Sequence, residues 1–522
     1  MPGLVVRRTM PQTLRTGSAA EQRPSGGARG DARRVICGRL DAELSRREFL
    51  ERSGLAALSA AGVYALLDGV AAPPARAATG TVSPPPEQHI MRGLRVIVDS
   101  GVAVLAPPLH HQVVTANLRV GRGKRALAAA RAELEEALRT IERRLPPTPA
   151  GLGMIVGWGA PYFREYVPSA GRRRFPAYLP IDRQASTRAG APVAALLDAE
   201  AFPSDPERLV LEENDVVVVL QSDSLAHIAD AGRAIFSGLA GMFELTSIRK
   251  GFVGGGFDGR TSLPKEMATR AGVPGADLIP EHAQLFLGFT STQRSALGPD
   301  RIANFETLPG LTDQWPRGYF RNGTTLHLSH LFEDVQLWYQ TSDFTQRVWL
   351  ATDASRAANN VLEGTLTLPE GPADVQTEEL VERFAPDAES GLVGHSASMQ
   401  PVNRVQQTLR DNYGTLRPAG TSILQRIDFN TLDNPFFWTS RPRDRHSDEP
   451  SPGLHFLAFS PTSDLFRQMR LAMDGRFPDG ATLPLPPTSP RLGLNGVIHA
   501  THRQNFLVPP RRRRSFPLSE LL

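Results

Sequence analysis

Apolar positions recur along the chain with two different periods, and the changes of period mark its elements. Val113–Val120 is strand-like. Leu127, Ala130, Leu134, Leu138, Ile141 and Leu145 then recur at spacings of three and four, which predicts one face of a helix. Leu152–Val156 reads as a short apolar strand closed by Gly157-Trp158-Gly159. After a polar, proline-rich insertion over 159–214, Asp215–Gln221 carries four consecutive valines, as a buried strand does. Ser224 is placed to cap a helix running to about Gly241, and Phe243–Ile248 returns as a strand.

The resulting order is β-α-β, insertion, β-α-β, the split pattern of a ferredoxin-like sheet with helices on one face. The second half repeats it less legibly. Leu285–Phe289 and Thr324–Leu328 read as strands, Phe344–Leu362 has helical spacing, and Leu454–Phe459 with Thr462–Met473 reads as strand and helix. The expected fold class is therefore α+β, two ferredoxin-like domains of antiparallel sheet flanked by helices. The expected boundaries are a leader over 1–77, a linker over 78–92 with Pro84-Pro85-Pro86, a first domain over 93–253, a glycine-rich connector over 254–280 and a second domain over 281–522.

Charge changes the picture at the N-terminus. Ser45-Arg46-Arg47-Glu48-Phe49-Leu50 precedes a weakly apolar run from Gly54 to Ala72, and Ala75-Arg76-Ala77 offers a small-x-small cleavage site. A twin arginine in this setting resembles a twin-arginine export signal. Asp68 and the many small residues argue against a membrane-spanning anchor. Residues 1–77 hold 12 Arg and 7 acidic residues, so the rest of the chain, with 46 basic and 47 acidic groups, is close to neutral. The basic pI of 9.4 thus describes mainly the leader, which removes the support for nucleic-acid binding. One basic cluster, Arg511–Arg514, remains and reads as a solvated tail. The single cysteine, Cys37, lies in the leader, so the chain beyond residue 77 can form neither a disulfide nor a thiolate metal site.

The connector reads GFVGGGFDGRTSLP from Gly251 to Pro264 and contains G-x-G-x-x-G at Gly254, Gly256 and Gly259. A dinucleotide loop needs a helix opening at the third glycine and a complete βαβ unit. Pro264 comes within five residues, and Gly272, Pro274, Gly275 and Pro280 lie beyond, so no such unit is expected. The same stretch also has the form G-x-x-D-G around Asp258, which resembles the distal-side motif of the dye-decolorizing peroxidase family, heme enzymes of the dimeric α+β barrel type. Met154–Pro161 resembles that family's early strand ending in G-x-G-P. Asn214–Leu220, Gly323–Leu328 with Asp334–Trp338, and Gly453–Phe459 with Phe466 resemble further pieces, in the same order along the chain.

The resemblance implies heme b as cofactor, hydrogen peroxide and small phenolic or dye-like aromatic donors as substrates, and the twin-arginine translocase as a partner during export. It implies an extracytoplasmic or secreted protein and is compatible with an oligomer. His395 is the implied iron ligand, because His395-Ser-Ala-Ser-Met-Gln-Pro401 places a proline six residues on, as in the family's H-x-R-x-x-N-P. Asp258 is the implied proton carrier for peroxide. Ile423-Leu-Gln-Arg426 resembles the family's I-L-R, one residue out of step, so either Gln425 or Arg426 faces the heme. Ala397 and Gln400 replace the arginine and asparagine of the ligand loop, which thins the support around the histidine. A heme-binding or iron-acquisition protein with little turnover is the alternative reading, and a non-heme binding protein a third. Asp464 is either an exposed aspartate at its helix N-terminus or a partner for the second ring nitrogen of His395. His327 and His330 would form a metal face on a helix, but Thr324–Leu331 reads as a strand, which sends them to opposite faces.

Overall fold

The computed structural model describes residues 83–99, 102–167, 179–253, 262–288, 304–351, 393–395, 402–419, 421–434 and 450–522. The expected leader and Asp258 fall outside these residues. Among them, no helix is long and apolar enough to cross a membrane.

The first half is built from β1 (His110–Leu118), α1 (Lys124–Arg144), β2 (Gly153–Gly159), β3 (Val216–Ser222), α2 (Leu225–Gly232) and β4 (Phe243–Phe252). The helical spacing expected for α1 is real: Leu127, Ala130, Leu134, Leu138 and Ile141 are its buried face. Ser224 caps α2 by accepting the N–H of His227. After α3 (Leu263–Arg270), the second half runs β5 (Thr324–Glu333), α4 (Val335–Thr341), α5 (Phe344–Ala351), β6 (Phe429–Thr431), β7 (Gly453–Ser460), α6 (Ser463–Met473) and β8 (Ile498–Val508).

The strands pair in the order β5-β7-β6-β4-β1-β3-β2-β8, and β8 pairs back onto β5. Every neighbouring pair in this circuit is antiparallel. The sheet is therefore closed, two ferredoxin-like groups of strands joined at β4–β6 and at β2–β8. Inside it lie Val113, Ile155, Val217, Val219, Leu326, Leu328, Ile427, Phe429, Leu457, Phe459, Phe506 and Val508, so the barrel is filled by side chains. The fold class is the α+β arrangement expected, a large antiparallel sheet flanked by helices.

Several local readings change. Leu285–Phe289 is not a strand over its described residues but a turn, apolar because Phe286 packs edge-on to Phe252 and the Leu287 carbonyl accepts the Trp338 indole N–H. Pro264 does not prevent a helix; it sits in the first turn of α3, where its missing N–H costs nothing, behind the capping residue Ser262. Among the described residues no parallel strand comes after α3 to make a βαβ unit, since β4 pairs with β1 and β6. The basic cluster is no solvated tail either: Arg514 and Arg511 bond Glu142 on α1, Arg514 also reaches Glu135, and Arg513 meets Glu520.

The expected linker over 78–92 includes a buried strap. Glu87, Gln88 and His89 are all under 5% exposed, and Gln88 works like a rung of sheet. Its Oε1 accepts the Val156 N–H at 3.0 Å, and its Nε2 donates to the carbonyls of Val156 at 3.1 Å and Pro509 at 2.8 Å. His89 stacks on Phe459 of the barrel lining. Arg511 donates its backbone N–H to Pro86 and its Nε to Pro85, so the strap is held by the C-terminal segment too. Gln88→Ala is expected to strand both polar groups of Val156 and lower unfolding stability by about 2–4 kcal/mol, read as a lower urea midpoint at unchanged slope.

Candidate functional site

A filled barrel leaves its chemistry to the outer face. On the second half, β5, β7 and the two-residue strand Gln425–Arg426 set the rows: His327 and Arg426 both lie opposite Ala458, so they share a face. Continuing the alternation puts Ser329, Leu331 and Glu333 on that face from β5, Phe456 and Leu454 from β7, and Asp428 and Asn430 after Arg426.

One side of this face is sealed. α6 lays Phe466 flat on the His327 ring at 3.6 Å, and Met469 and Ala472 cover Ala458. His327 is fixed at both nitrogens, to Asn505 Oδ1 at 2.7 Å and Ser329 Oγ at 2.6 Å. The insertion completes the cover: Asp205 receives Arg503 at 2.5 and 2.9 Å, Ser204 donates to Asp474 at 2.6 Å, and Phe202 lies under the Arg503 and Arg470 guanidinium groups. His330 points into the barrel, bonded to Thr501 and edge-on to His455. The expected opposition of His327 and His330 is what the strand produces, and among the described residues no group of three or more His, Cys, Asp or Glu is arranged for a metal ion.

The other side of the face stays half-open. Leu331, Phe456, Arg426 and Asp428 are only partly buried there, and His395, also partly buried, feels the Arg426 charge. His395 follows Val393, which bridges to Leu492 and accepts the Gly493 N–H at 2.7 Å. Gly493 has φ 53°, and a Cβ on it would stand 3.0 Å from His395 Cα and 3.1 Å from its nitrogen, so only glycine lets the His395 segment lie this close.

Electrostatics tie these groups into one site. Burial holds the His395 imidazole down at about 4, and the positive charges of Arg426 and Arg470 add to the effect. It is therefore a neutral base at pH 7. Burial raises Asp428, with Arg426 opposing. Burial pushes Glu333 up to about 8, helped by the Asp428 charge, and its Oε2 has no hydrogen-bond partner.

Of the residues expected from sequence, the structure thus brings His395 and Arg426 within electrostatic reach. Gln425 turns to the opposite face, is buried, and donates to the His89 carbonyl of the strap. The one-residue offset leaves Arg426 as the group on the His395 side. Asp464 does not partner His395; it is engaged by Arg188 and Gln468. Asp428, Glu333 and Arg470 were not singled out from sequence. For Asp428 a signal existed, since two residues beyond Arg426 on a strand is the same face.

The family model described as "Family of unknown function (DUF7405)" matches residues 108–510, and the chain belongs to that family. No curated protein matches the sequence. Among solved structures the chain is similar to a candidate DyP-type peroxidase from Shewanella oneidensis, at 13% identity over 80% of this chain and 97% of that one, TM-score 0.45. It is also similar to a variant of DypB from Rhodococcus jostii RHA1 in complex with heme, at 15% identity over 79% and 96%, TM-score 0.42. The encapsulated DyP-type peroxidase from Mycobacterium smegmatis gives 13% identity over 78% and 95%, TM-score 0.40. Likeness at this level transfers no residue roles.

Glu333 and His395 each contribute to the pH dependence of stability, beside other shifted buried groups such as Glu306 and His89. Glu333 contributes stability that is full below about pH 4.5 and is lost as pH rises towards 8; His395 contributes stability that is full above 6.5 and is lost as pH falls towards 4. Glu333→Gln is expected to flatten the decline between pH 6.5 and 8, by at most about 1.4 kcal/mol per pH unit, and to leave the acid limb in place. Thermal melts from pH 4 to pH 8 read both limbs.

Proposed function

We propose that the chain is a heme peroxidase that reduces hydrogen peroxide at the expense of phenolic or dye-like donors. The observation that carries this reading is that Arg426 acts electrostatically on His395, the two having been chosen from the sequence for different roles, and both are partly exposed. The donor set suits an iron porphyrin: a neutral imidazole, a guanidinium, and a floor carrying Leu331 and Phe456 on which a flat apolar ring can lie. Gly493 supports the fit by letting the histidine's backbone pack without a side chain between.

In this reading His395 holds the iron and Arg426 stabilises negative charge at the bound peroxide or a heme carboxylate. Asp258, outside the described residues, moves the proton between the peroxide oxygens. When bound, heme supplies the redox chemistry of the O–O bond, and two one-electron donors balance the reduction of peroxide to water. Residues 1–77 act as a twin-arginine leader, so the protein works outside the cytoplasm. Ala397 and Gln400, in place of the family's arginine and asparagine, favour one second reading: a heme-binding or iron-acquisition protein with slow turnover.

The absorption spectrum of the chain produced with heme is the first test, and a Soret band is expected. His395→Ala is expected to lose that band. Arg426→Leu and Asp258→Asn should keep it while slowing peroxide reaction at least tenfold in stopped flow. Absence of the band in the parent chain would remove both heme readings. A band with no peroxide-dependent dye oxidation would leave the second.

A further inference from the structure

At the strap, two buried carboxylates from distant parts of the chain converge on one residue. Asn322, with φ 68°, donates its backbone N–H to Glu306 Oε1 at 2.7 Å and its Nδ2 to Glu87 Oε1 at 2.9 Å. Glu87 is 1% exposed and Glu306 0%. The second oxygen of each, Oε2, is buried with no protein partner. Tyr413 places its hydroxyl 3.4 Å from the same Asn322 Nδ2 and 3.2 Å from Asn304 Nδ2. Asn304 in turn accepts the Glu306 N–H, and Asn412 donates to the Glu306 carbonyl, so the glutamate's backbone is fixed.

We propose that Glu87 and Glu306 form a site for one hard divalent cation, which ties the strap to the 304–323 loop. Two buried carboxylate oxygens without partners are costly unless a positive charge lies between them. Asn322 already holds one oxygen of each group and so fixes the pair in place. The neighbouring donors are all oxygen, two carboxylates and a phenol, which suits calcium or magnesium and not a soft metal. Among the described residues, Arg321 is the cation whose charge acts on Glu306, and its guanidinium is turned to the Pro316 carbonyl and the Trp315 ring. Burial, with the Glu87 charge adding to it, raises Glu306 to about 7. The site is independent of the heme reading and lies outside the residues that argue for it.

The test uses the full chain, freed of metal by chelator, at pH 8. Calcium chloride is expected to raise its melting temperature by about 3–5 °C at a hundredfold excess over Kd, and magnesium chloride to do so less. Terbium is expected to luminesce on excitation of Tyr413 and Trp315, whose rings are 5.7 Å apart, and calcium to quench the signal by displacement. Glu306→Gln keeps an acceptor for Asn322 and should abolish both responses; Glu87→Gln should do the same. A parent chain with no calcium shift and no terbium emission overturns the proposal, and leaves a proton on Glu306 as the neutralising charge. Responses that persist undiminished in both variants overturn it too, since the metal would then sit elsewhere.

Discussion

The two-sided pairing of β5 is what the rest of the structure depends on. That strand forms ladders with β7 along one edge and with β8 along the other. Without the second ladder the molecule would be an open sheet with two unpaired edges and a one-sided core. With it, the backbone polar groups of both ferredoxin-like halves find partners in each other, and the circuit leaves no long edge to recruit a foreign strand. Closure also fixes what each face does. The interior is committed to packing by its ring of valine, leucine and phenylalanine, so any ligand of useful size has to use an outer face.

On the outer face of the second half, covering elements decide which polar residues are structural. His327 looks chemically capable, yet Phe466, Asn505 and Ser329 consume it, and the insertion closes over the whole quarter through Arg503 and Asp205. Histidine and arginine on the uncovered side have a different fate. Burial, with the Arg426 charge adding to it, keeps His395 neutral, while burial also holds Asp428 and Glu333 towards their protonated forms.

The first half was legible because its faces are simple. The α1 stripe, the four valines of β3 and the Ser224 cap each match their environment, and period and environment agree. The second half was harder for a physical reason. β8 reads IHATHRQNFLV, with polar residues at both parities, because His502 and Gln504 enter the barrel's polar end while Arg503 and Asn505 bind the insertion. Its burial is satisfied by hydrogen bonds and ion pairs, which hydrophobic periodicity does not register. β6 spans only three residues and carried no pattern to find. The strap escaped notice because a proline run predicts a linker, and nothing in Glu87-Gln88-His89 signals that a glutamine side chain will imitate a strand. Within the site, the resemblance selected His395 and left Gln425 or Arg426 open, and the strand's facing puts Gln425 inside the barrel and Arg426 on its outer side.

The clasp between Arg511 and the carbonyls of Pro85 and Pro86 gives the chain a nearly circular course. The segment entering the barrel and the segment leaving it run past each other on one side of the molecule, each contributing to the other's seat. In such an arrangement the position of the free ends is a detail of gene order and not of architecture. The same barrel could be written beginning at a surface loop elsewhere, with the present ends spliced, and its ring of ladders would be unchanged. What would change is only which surface loop carries the ends.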